Sequence, residues 1–494
     1  MGYLMTKTIT NDLSYFSIHN HSEFSNDRLL DSITPPDELI QYAVELGLKG
    51  IALTDHETLS GHVKFIKAYK ELKKKKKIPE DFKIALGNEI YLVDEDNIDE
   101  LKDNYYNREE RTKFYHFLLL AKNKEGYNQL KELSSLAWEN SFRTGKMVRV
   151  PTFKEDLARI IKGGHVMATS ACLGGFLPQM ILKWQEAEEK GNQEEIDYYK
   201  LKIHEFILFN IDVFGKENFF FEIQPSDDPE QHIANQKLVM LSEVYGIDYV
   251  VATDSHYLKK EDREIHKIYL QSQEGEREVD AFDASCYVFP VEEILESMSK
   301  HLPEDVIVKA IQNTMKIYEQ IEFFDLQQKT IIPEANIEEF EFTHEFKEYY
   351  NRYEYIKKYI YSEYEIDRYF IYLIKQGIRK FFYPIEESRY DLHTILNRVN
   401  TELRELYLIS KKLGGRMSSY YVLTRQVVLD IMWKKSDTLV GIGRGSAAGF
   451  LINYLLEIVQ INPLDYDLPH FRHLTAERPE LPDCKLRSSM LVTA

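Results

Sequence analysis

Cysteine is scarce in this sequence, long apolar runs are missing, and there is no excess of positive charge. Only three cysteines occur among 494 residues, at 172, 286 and 484. They form no Cys-x-x-Cys pair, which excludes a disulfide framework and predicts a reducing, cytoplasmic setting. No stretch reaches the ~20 apolar residues a membrane helix needs, and no signal-peptide pattern opens the chain, so no membrane partner is expected. The formal net charge of -19 argues against a protein that coats nucleic acid through its bulk field. It leaves room for a local basic groove, and acidic residues clustered as cation ligands would add to the negative count. The one basic run, Lys73 to Lys77, reads as the solvated end of a helix over 62–77. The remainder, 44% hydrophobic and 29% charged, is ordinary for a globular chain of about two to four domains.

Within that composition one pattern repeats. His19-Asn20-His21 ends the short apolar run Tyr15 to Ile18, and in an extended strand residues i and i+2 share a face, so the two imidazoles converge as half of a metal site. Further apolar runs end the same way. Gly50 to Thr54 reaches Asp55-His56, Lys83 to Gly87 reaches Glu89, His165 to Thr169 reaches Cys172, and Asp248 to Thr253 reaches Asp254-Ser255-His256. His116 begins the run to Ala121. Helical patterns separate these runs, for example Asp37 to Leu46 with Gly47 as its cap. Strands alternating with helices predict parallel βα units covered on both faces, and in closed α/β barrels the site lies at the C-terminal ends of the strands. A single histidine there is more simply a core residue. Six segments bringing His, Asp, Glu or Cys to one face point to metal.

The wording around these residues, "SIHNHSEFS", "IALTDHETLSG", "ALGNEIY", "FLLLAKN", "TSACLGG" and "VATDSHYL", resembles the polymerase-and-histidinol-phosphatase (PHP) domain. It is most similar to the version that opens the alpha subunit of bacterial DNA polymerase III. The resemblance implies a distorted (βα)7 barrel holding up to three divalent metals. The ligands it implies are His19, His21, Asp31, His56, Glu89, His116, Cys172, Asp254 and His256, with Asp55 as a catalytic-site partner orienting His56. Such mixed ligands suit zinc, manganese or iron, and a metal cluster suits phosphoester hydrolysis, with 3′–5′ exonuclease chemistry as the expectation. A metal that only stabilises the barrel is the structural alternative.

Residues 260–400 are charged, tyrosine-rich and helical in pattern, with helices expected over Glu345 to Tyr364 and Glu365 to Phe381. Helices are also expected over 400–413 and Tyr420 to Trp433. Then Leu439-Val440-Gly441-Ile442-Gly443-Arg444-Gly445-Ser446 leads into the apolar helix Phe450 to Ile458. A strand, a glycine loop and a helix N-terminus make a phosphate cradle, to which Arg444 adds a fork donor and Ser446 a hydroxyl. The loose dinucleotide pattern Gly443-x-Gly445-x-x-Ala448 lacks its acidic strand end, since Asp465 and Asp467 lie in a proline-containing turn. The stretch "GIGRGSAAGFLINYLLEIVQINPLDYDLPHFRHLTAERPELPD" is similar to the polymerase III alpha palm. That likeness implies triphosphate contacts from Gly443, Arg444, Gly445 and Ser446, with Arg472 and Arg478 as further candidates. It also implies Asp483 as the first carboxylate of a Pro-Asp-x-Asp motif that holds Mg²⁺.

The motif then departs from the family, because Lys485 stands where the second carboxylate is expected. One carboxylate cannot hold two Mg²⁺ ions, so this polypeptide by itself is not expected to polymerise DNA. Three readings of the last residues, "CKLRSSMLVTA", stay open: a fragment, a polymerase split over a second polypeptide, or an intein beginning at Cys484.

The expected class is α/β, a PHP barrel over 13–295, a helical connection over 296–400, a partial α+β palm over 401–483 and a non-matching tail over 484–494. The expected function is that of the N-terminal part of a replicative polymerase, acting on primer-template DNA and deoxynucleotides once completed. The alternatives are a free-standing phosphatase of a small metabolite and a metal-stabilised replisome scaffold.

Overall fold

The structure is a computed structural model. It describes residues 13–27, 30–107, 112–145, 147–272, 285–328, 331–341, 351–435, 438–443, 445–479, 481 and 488–490. The chain forms two compact units, Met1–Leu326 and Gln327–Ala494.

The first unit is built on one curled sheet. Its strands are β1 (Phe16–Ser17), β2 (Gly50–Leu53), β3 (Lys83–Val93), β4 (Tyr115–Ala121), β5 (Val166–Thr169), β6 (Phe219–Ile223) and β7 (Tyr249–Val251), neighbours in that order. The short strand Thr152–Phe153 adds to β3. Most pairings are parallel, but β4 runs antiparallel to both β3 and β5. The expectation of parallel units throughout is corrected at this strand, and the reversal explains why His116 near its start reaches the end of the sheet where the other strands finish. The sheet closes at that same end, where Asn20 bridges Ser255: the His21 N–H donates to the Ser255 carbonyl at 2.8 Å.

Both faces of the strands are buried, with alternating neighbours. Ile51, Leu53, Phe219, Phe221, Ile223, Tyr249 and Val251 join the core shared with the surrounding helices. Ala52, Phe220, Val250 and Ala252 join a smaller interior cluster with Phe16 and Ile18. Helix Glu304–Gln320 contributes Ile317 to that interior cluster, and its Thr314 hydroxyl accepts the Phe16 N–H at 3.2 Å. A stretch read as connection is thus packed into the barrel unit. Helix Pro36–Glu45 starts with proline at its first turn beside Asp37 and Glu38, and the left-handed Gly47 (φ 72°) follows its end.

In the second unit, helices Glu365–Phe382, Leu392–Leu413 and Met417–Gln426 enclose one apolar core with Phe450, Leu451 and Leu455. Helix 392–413 begins earlier than the pattern over 400–413 suggested, capped by Asp391 accepting the Thr394 N–H at 2.7 Å. The helix expected over Tyr420 to Trp433 winds into a π-helical turn, Val427–Lys435. The helix expected over 450–458 is reduced to the short helix Leu451–Leu455, preceded by a 3₁₀ segment, Gly445–Gly449. Strand Thr438–Val440 pairs antiparallel with Ser488–Met490. Of the helix expected over 345–364, residues 345–350 lie outside the described residues, and the remainder forms helix Glu354–Ile360.

Candidate metal centre

The ligand candidates reach one end of the sheet by different local routes. His19 and His21 follow β1, Asp55 and His56 follow β2, Cys172 follows β5, and Asp254 and His256 follow β7. Glu89 sits inside β3 and not at its end, because β3 continues to Val93 in register with β4, placing Tyr91 opposite His116. Asp31 lies in the loop before helix Pro36–Glu45. The Asn26 side chain accepts its N–H at 2.7 Å, and the His266 ring donates to its carbonyl at 2.6 Å. Close packing requires glycine at 174, where a Cβ would stand 2.8 Å from the His116 ring.

Three groups of ligand atoms form, each within a 4.8 Å span: His21, Asp31, His56 and His256; His19, His21, Glu89 and Asp254; and His56, Glu89 and His116. They share corners. His21 serves the first two, Glu89 the last two, and His56 the first and third. In the second group His19 Nε2 is 3.2 Å from Asp254 Oδ1 and 3.4 Å from Glu89 Oε2, and His21 Nε2 is 3.1 Å and 3.2 Å from the same two atoms. In the first, Asp31 Oδ2 lies 3.1 Å from both His56 Nε2 and His256 Nε2. His56 Nδ1 is 2.8 Å from Glu89 Oε2, and His116 Nδ1 is 2.9 Å from Glu89 Oε1. Cys172 borders the third group, its Sγ 3.4 Å from His116 Nδ1 and 3.9 Å from Glu89 Oε1.

Three buried atoms at the centre, His19 Nε2, Asp31 Oδ2 and Glu89 Oε2, face these neighbours without a well-formed hydrogen bond. Ligand atoms turned on one another in this way fit shared divalent cations. Charge balance agrees. Among the described residues, none of Asp31, Glu89, Asp254 and Glu222 pairs with a lysine or arginine. The imbalance falls on the histidines. Burial pushes His19 and His256 down, yet the carboxylates around them outweigh it and leave both well above the ordinary range. Burial raises Asp31 and Glu89, but the adjacent imidazoles hold both well below it. Burial, with Asp254 and Glu89 nearby, drives the Cys172 thiol well up.

Asp55 takes a different place from the one expected. It does not touch the His56 ring, and it reaches His56 only through Ser25, whose oxygen accepts the His56 N–H at 3.1 Å. Its carboxylate accepts the Ser22 N–H at 2.6 Å and the Ser22 and Ser25 hydroxyls, and the Ser25 oxygen lies 3.2 Å from His21 Nδ1, so its influence passes to His21. Burial raises this carboxyl to about 6. Sequence reading also missed strand β6 and its Glu222, whose Oε1 accepts from His19 Nδ1 at 2.7 Å. A lone acidic residue within Phe219-Phe220-Phe221-Glu222-Ile223 was the available signal.

In the second unit Gly443 (φ 131°) and Gly445 (φ 66°) hold left-handed backbone that favours glycine. The Ser446 hydroxyl lies 3.4 Å from His473 Nδ1. The turn His470–Arg472 packs beside segment 445–449, with Arg472 and Arg478 exposed. Arg444 and Asp483, like Cys484 and Lys485, lie outside the described residues.

The curled α/β sheet carries a candidate His/Asp/Glu metal site at one end, and the PHP domain family matches residues 17–226. Residues 368–487 match the family described as bacterial DNA polymerase III alpha NTPase domain. The two matches lie in this order along the chain. The "DNA-directed DNA polymerase" of Bacillus phage SPbeta is 48% identical over 470 residues, covering 94% of this chain and 36% of that protein. The "DNA polymerase III subunit alpha" of Borreliella burgdorferi is 28% identical over 95% of this chain and 34% of its own length. That of Aquifex aeolicus is 26% identical over 95% and 36%. The chain thus spans about a third of the length of these relatives. Among the described residues no helix is long and apolar enough to cross a membrane.

Proposed function

We propose that the first unit is a metal-dependent phosphoesterase acting on DNA ends as a 3′–5′ exonuclease, within a chain of the replicative DNA polymerase type. The observation that carries this reading is the corner-sharing of the three ligand groups through His21, His56 and Glu89. Isolated structural metals do not need shared ligands, whereas adjacent cations on shared ligands are suited to clamp both the attacking and the leaving oxygen of a phosphodiester. His19, His21, Asp31, His56, Glu89, His116, Asp254 and His256 would hold the metals, with Cys172 beside them; zinc, manganese and iron all suit these donors. When bound, the metals supply an activated water and charge for the phosphate.

The chain's own part is to fix the donors. Asp55 and Ser25 hold His21, and the Tyr91 hydroxyl, 3.3 Å from His56 Nδ1, borders His56. His116, with 25% of its side chain exposed, lies on the open side. A DNA substrate is supported by the polymerases among the relatives and by the second unit, in which Gly443, Arg444, Gly445 and Ser446, with Arg472 and Arg478, would hold a nucleoside triphosphate. Asp483 would supply one palm carboxylate for Mg²⁺. Lys485 stands where the second is expected, so primer extension by this polypeptide alone is not anticipated.

The test uses a 5′-labelled primer annealed to a template, incubated with the purified chain, Mn²⁺ or Zn²⁺ and all four deoxynucleotides. Shortening that EDTA and His19→Ala both abolish is expected. An unchanged primer would reject the nuclease reading, and a lengthened one the reading of the palm.

A further inference from the structure

We propose that Glu222 is a positioning residue of the metal centre, acting through His19; this rests on the metal reading above. Along β6 the side chains alternate. Phe219, Phe221 and Ile223 join the core under the helices, while Phe220 joins the interior cluster. Glu222 shares the interior face with Phe220, one step nearer the ligands, and is fully buried. Its Oε1 accepts from His19 Nδ1 at 2.7 Å. That bond places the ring proton on Nδ1 and leaves the Nε2 lone pair facing Asp254 Oδ1 and Glu89 Oε2.

The carboxylate is itself held. The Thr169 hydroxyl donates to Oε2, Gln224 Nε2 donates to Oε1 at 2.7 Å, and the Glu222 N–H donates to Ser170 Oγ at 2.9 Å. Gln224 is fixed in turn by Asn235, which accepts its N–H at 3.1 Å and donates to its carbonyl at 2.8 Å. Asn235 belongs to helix Pro229–Tyr245, so the chain of bonds ties His19 to the outer layer of the barrel.

A role in packing alone does not account for an acid at this position. Glutamine would satisfy Thr169 and His19 with a far smaller desolvation cost. Among the described residues His19 is the one cation-capable group bonded to the Glu222 carboxylate. A buried carboxylate without a lysine or arginine is costly unless its charge is used. Here the charge strengthens His19 as a donor to a cation.

The experiment is a Zn²⁺ and Mn²⁺ titration of the full chain against a competing chelator dye, together with the melting temperature of the metal-free protein. Glu222→Gln keeps the shape and a hydrogen-bond acceptor but removes the charge. It is expected to weaken binding about 10-fold, toward ~100-fold for Glu222→Leu, with the metal-free melting temperature of Glu222→Gln unchanged. Wild-type affinity in Glu222→Gln, or a weaker affinity matched by an equal loss of metal-free stability, would overturn the inference while leaving the metal reading intact. If the wild-type chain binds neither metal, the metal reading itself fails. Should Glu222→Gln not fold, Thr169→Val decides. It frees Oε2 without touching a ligand, and unchanged affinity in it would overturn the inference.

Discussion

His62 shows at the scale of one residue how burial converts into pH dependence. It lies fully buried in the first turn of helix Gly61–Lys74. Its Nε2 donates to the Leu53 carbonyl at 3.3 Å, and its Nδ1 faces the Tyr127 hydroxyl at 3.2 Å. Burial lowers its pKa to about 4 from an ordinary 6.5. Below pH 6.5 the unfolded chain takes up a proton here that the folded chain refuses, so stability is lost as pH falls from about 6.5 to about 4 and is unaffected above that window. At pH 5 the loss from this group is about 2 kcal/mol, at 1.36 kcal/mol per unit of pKa difference. Urea unfolding of His62→Gln should therefore show a fall between pH 7 and pH 5 that is smaller than wild type by about that amount. Equal falls would rule out a neutral buried His62.

At the scale of elements, the helix Leu451–Leu455 is too short to stand by itself. Glu402, buried in helix Leu392–Leu413, accepts the N–H groups of Leu451 and Ile452 at 2.8 and 2.9 Å. Arg398 donates to the same carboxylate at 2.7 Å and to the carbonyls of Gly449 and Leu468 at 2.6 and 2.8 Å. One ion pair thus caps the helix and ties it to the carbonyls of Gly449, just after the glycine loop, and Leu468. Glu402→Ala would leave a half-buried guanidinium and two helix N–H groups without their acceptor, a cost of about 3 kcal/mol. Hydrogen exchange should accelerate over 445–456 in this variant with β1 to β7 unaffected; unchanged exchange over 445–456 would refute the pinning role.

For the whole molecule, the barrel unit gathers Asp31, Glu89, Asp254 and Glu222 around five imidazoles at the end where the sheet closes. Bound metals would relieve that charge and link β1, β2, β3, β4 and β7 at once. Chelation is expected to remove about 3 kcal/mol for each independently bound metal present at a hundred times its dissociation constant, and added Mn²⁺ or Zn²⁺ should restore it. Thermal unfolding with and without EDTA reads this directly, and identical melting temperatures would contradict the metal centre.

How much of this could be read beforehand divides by range. The ligand types were legible because their signals are local: His19-x-His21 and Asp254-x-His256 at strand spacing, and Asp55-His56 after an apolar run. The glycine loop was legible for the same reason, since Gly443 and Gly445 mark left-handed backbone. Other features depend on contacts far apart in the chain. The reversal of β4 is decided by hydrogen bonding to β3 and β5, and nothing in "YHFLLLA" encodes its direction. Asp55 reaches the His21 ring, and the backbone of the adjacent His56, through Ser25, because the loop 22–25 folds against it. Helix Glu304–Gln320 reads as any amphipathic helix until the open side of the sheet gives it somewhere to pack. Glu222 passed as one polar residue in an apolar strand, and only the curl of the sheet brings it to His19. The sequence by itself determined which chemistry the residues can perform, because ligand type and short-range periodicity are local properties. The tertiary structure alone decided which donor atoms lie within reach of one another and which carboxylate meets His19, because those depend on strand direction and closure over more than two hundred residues.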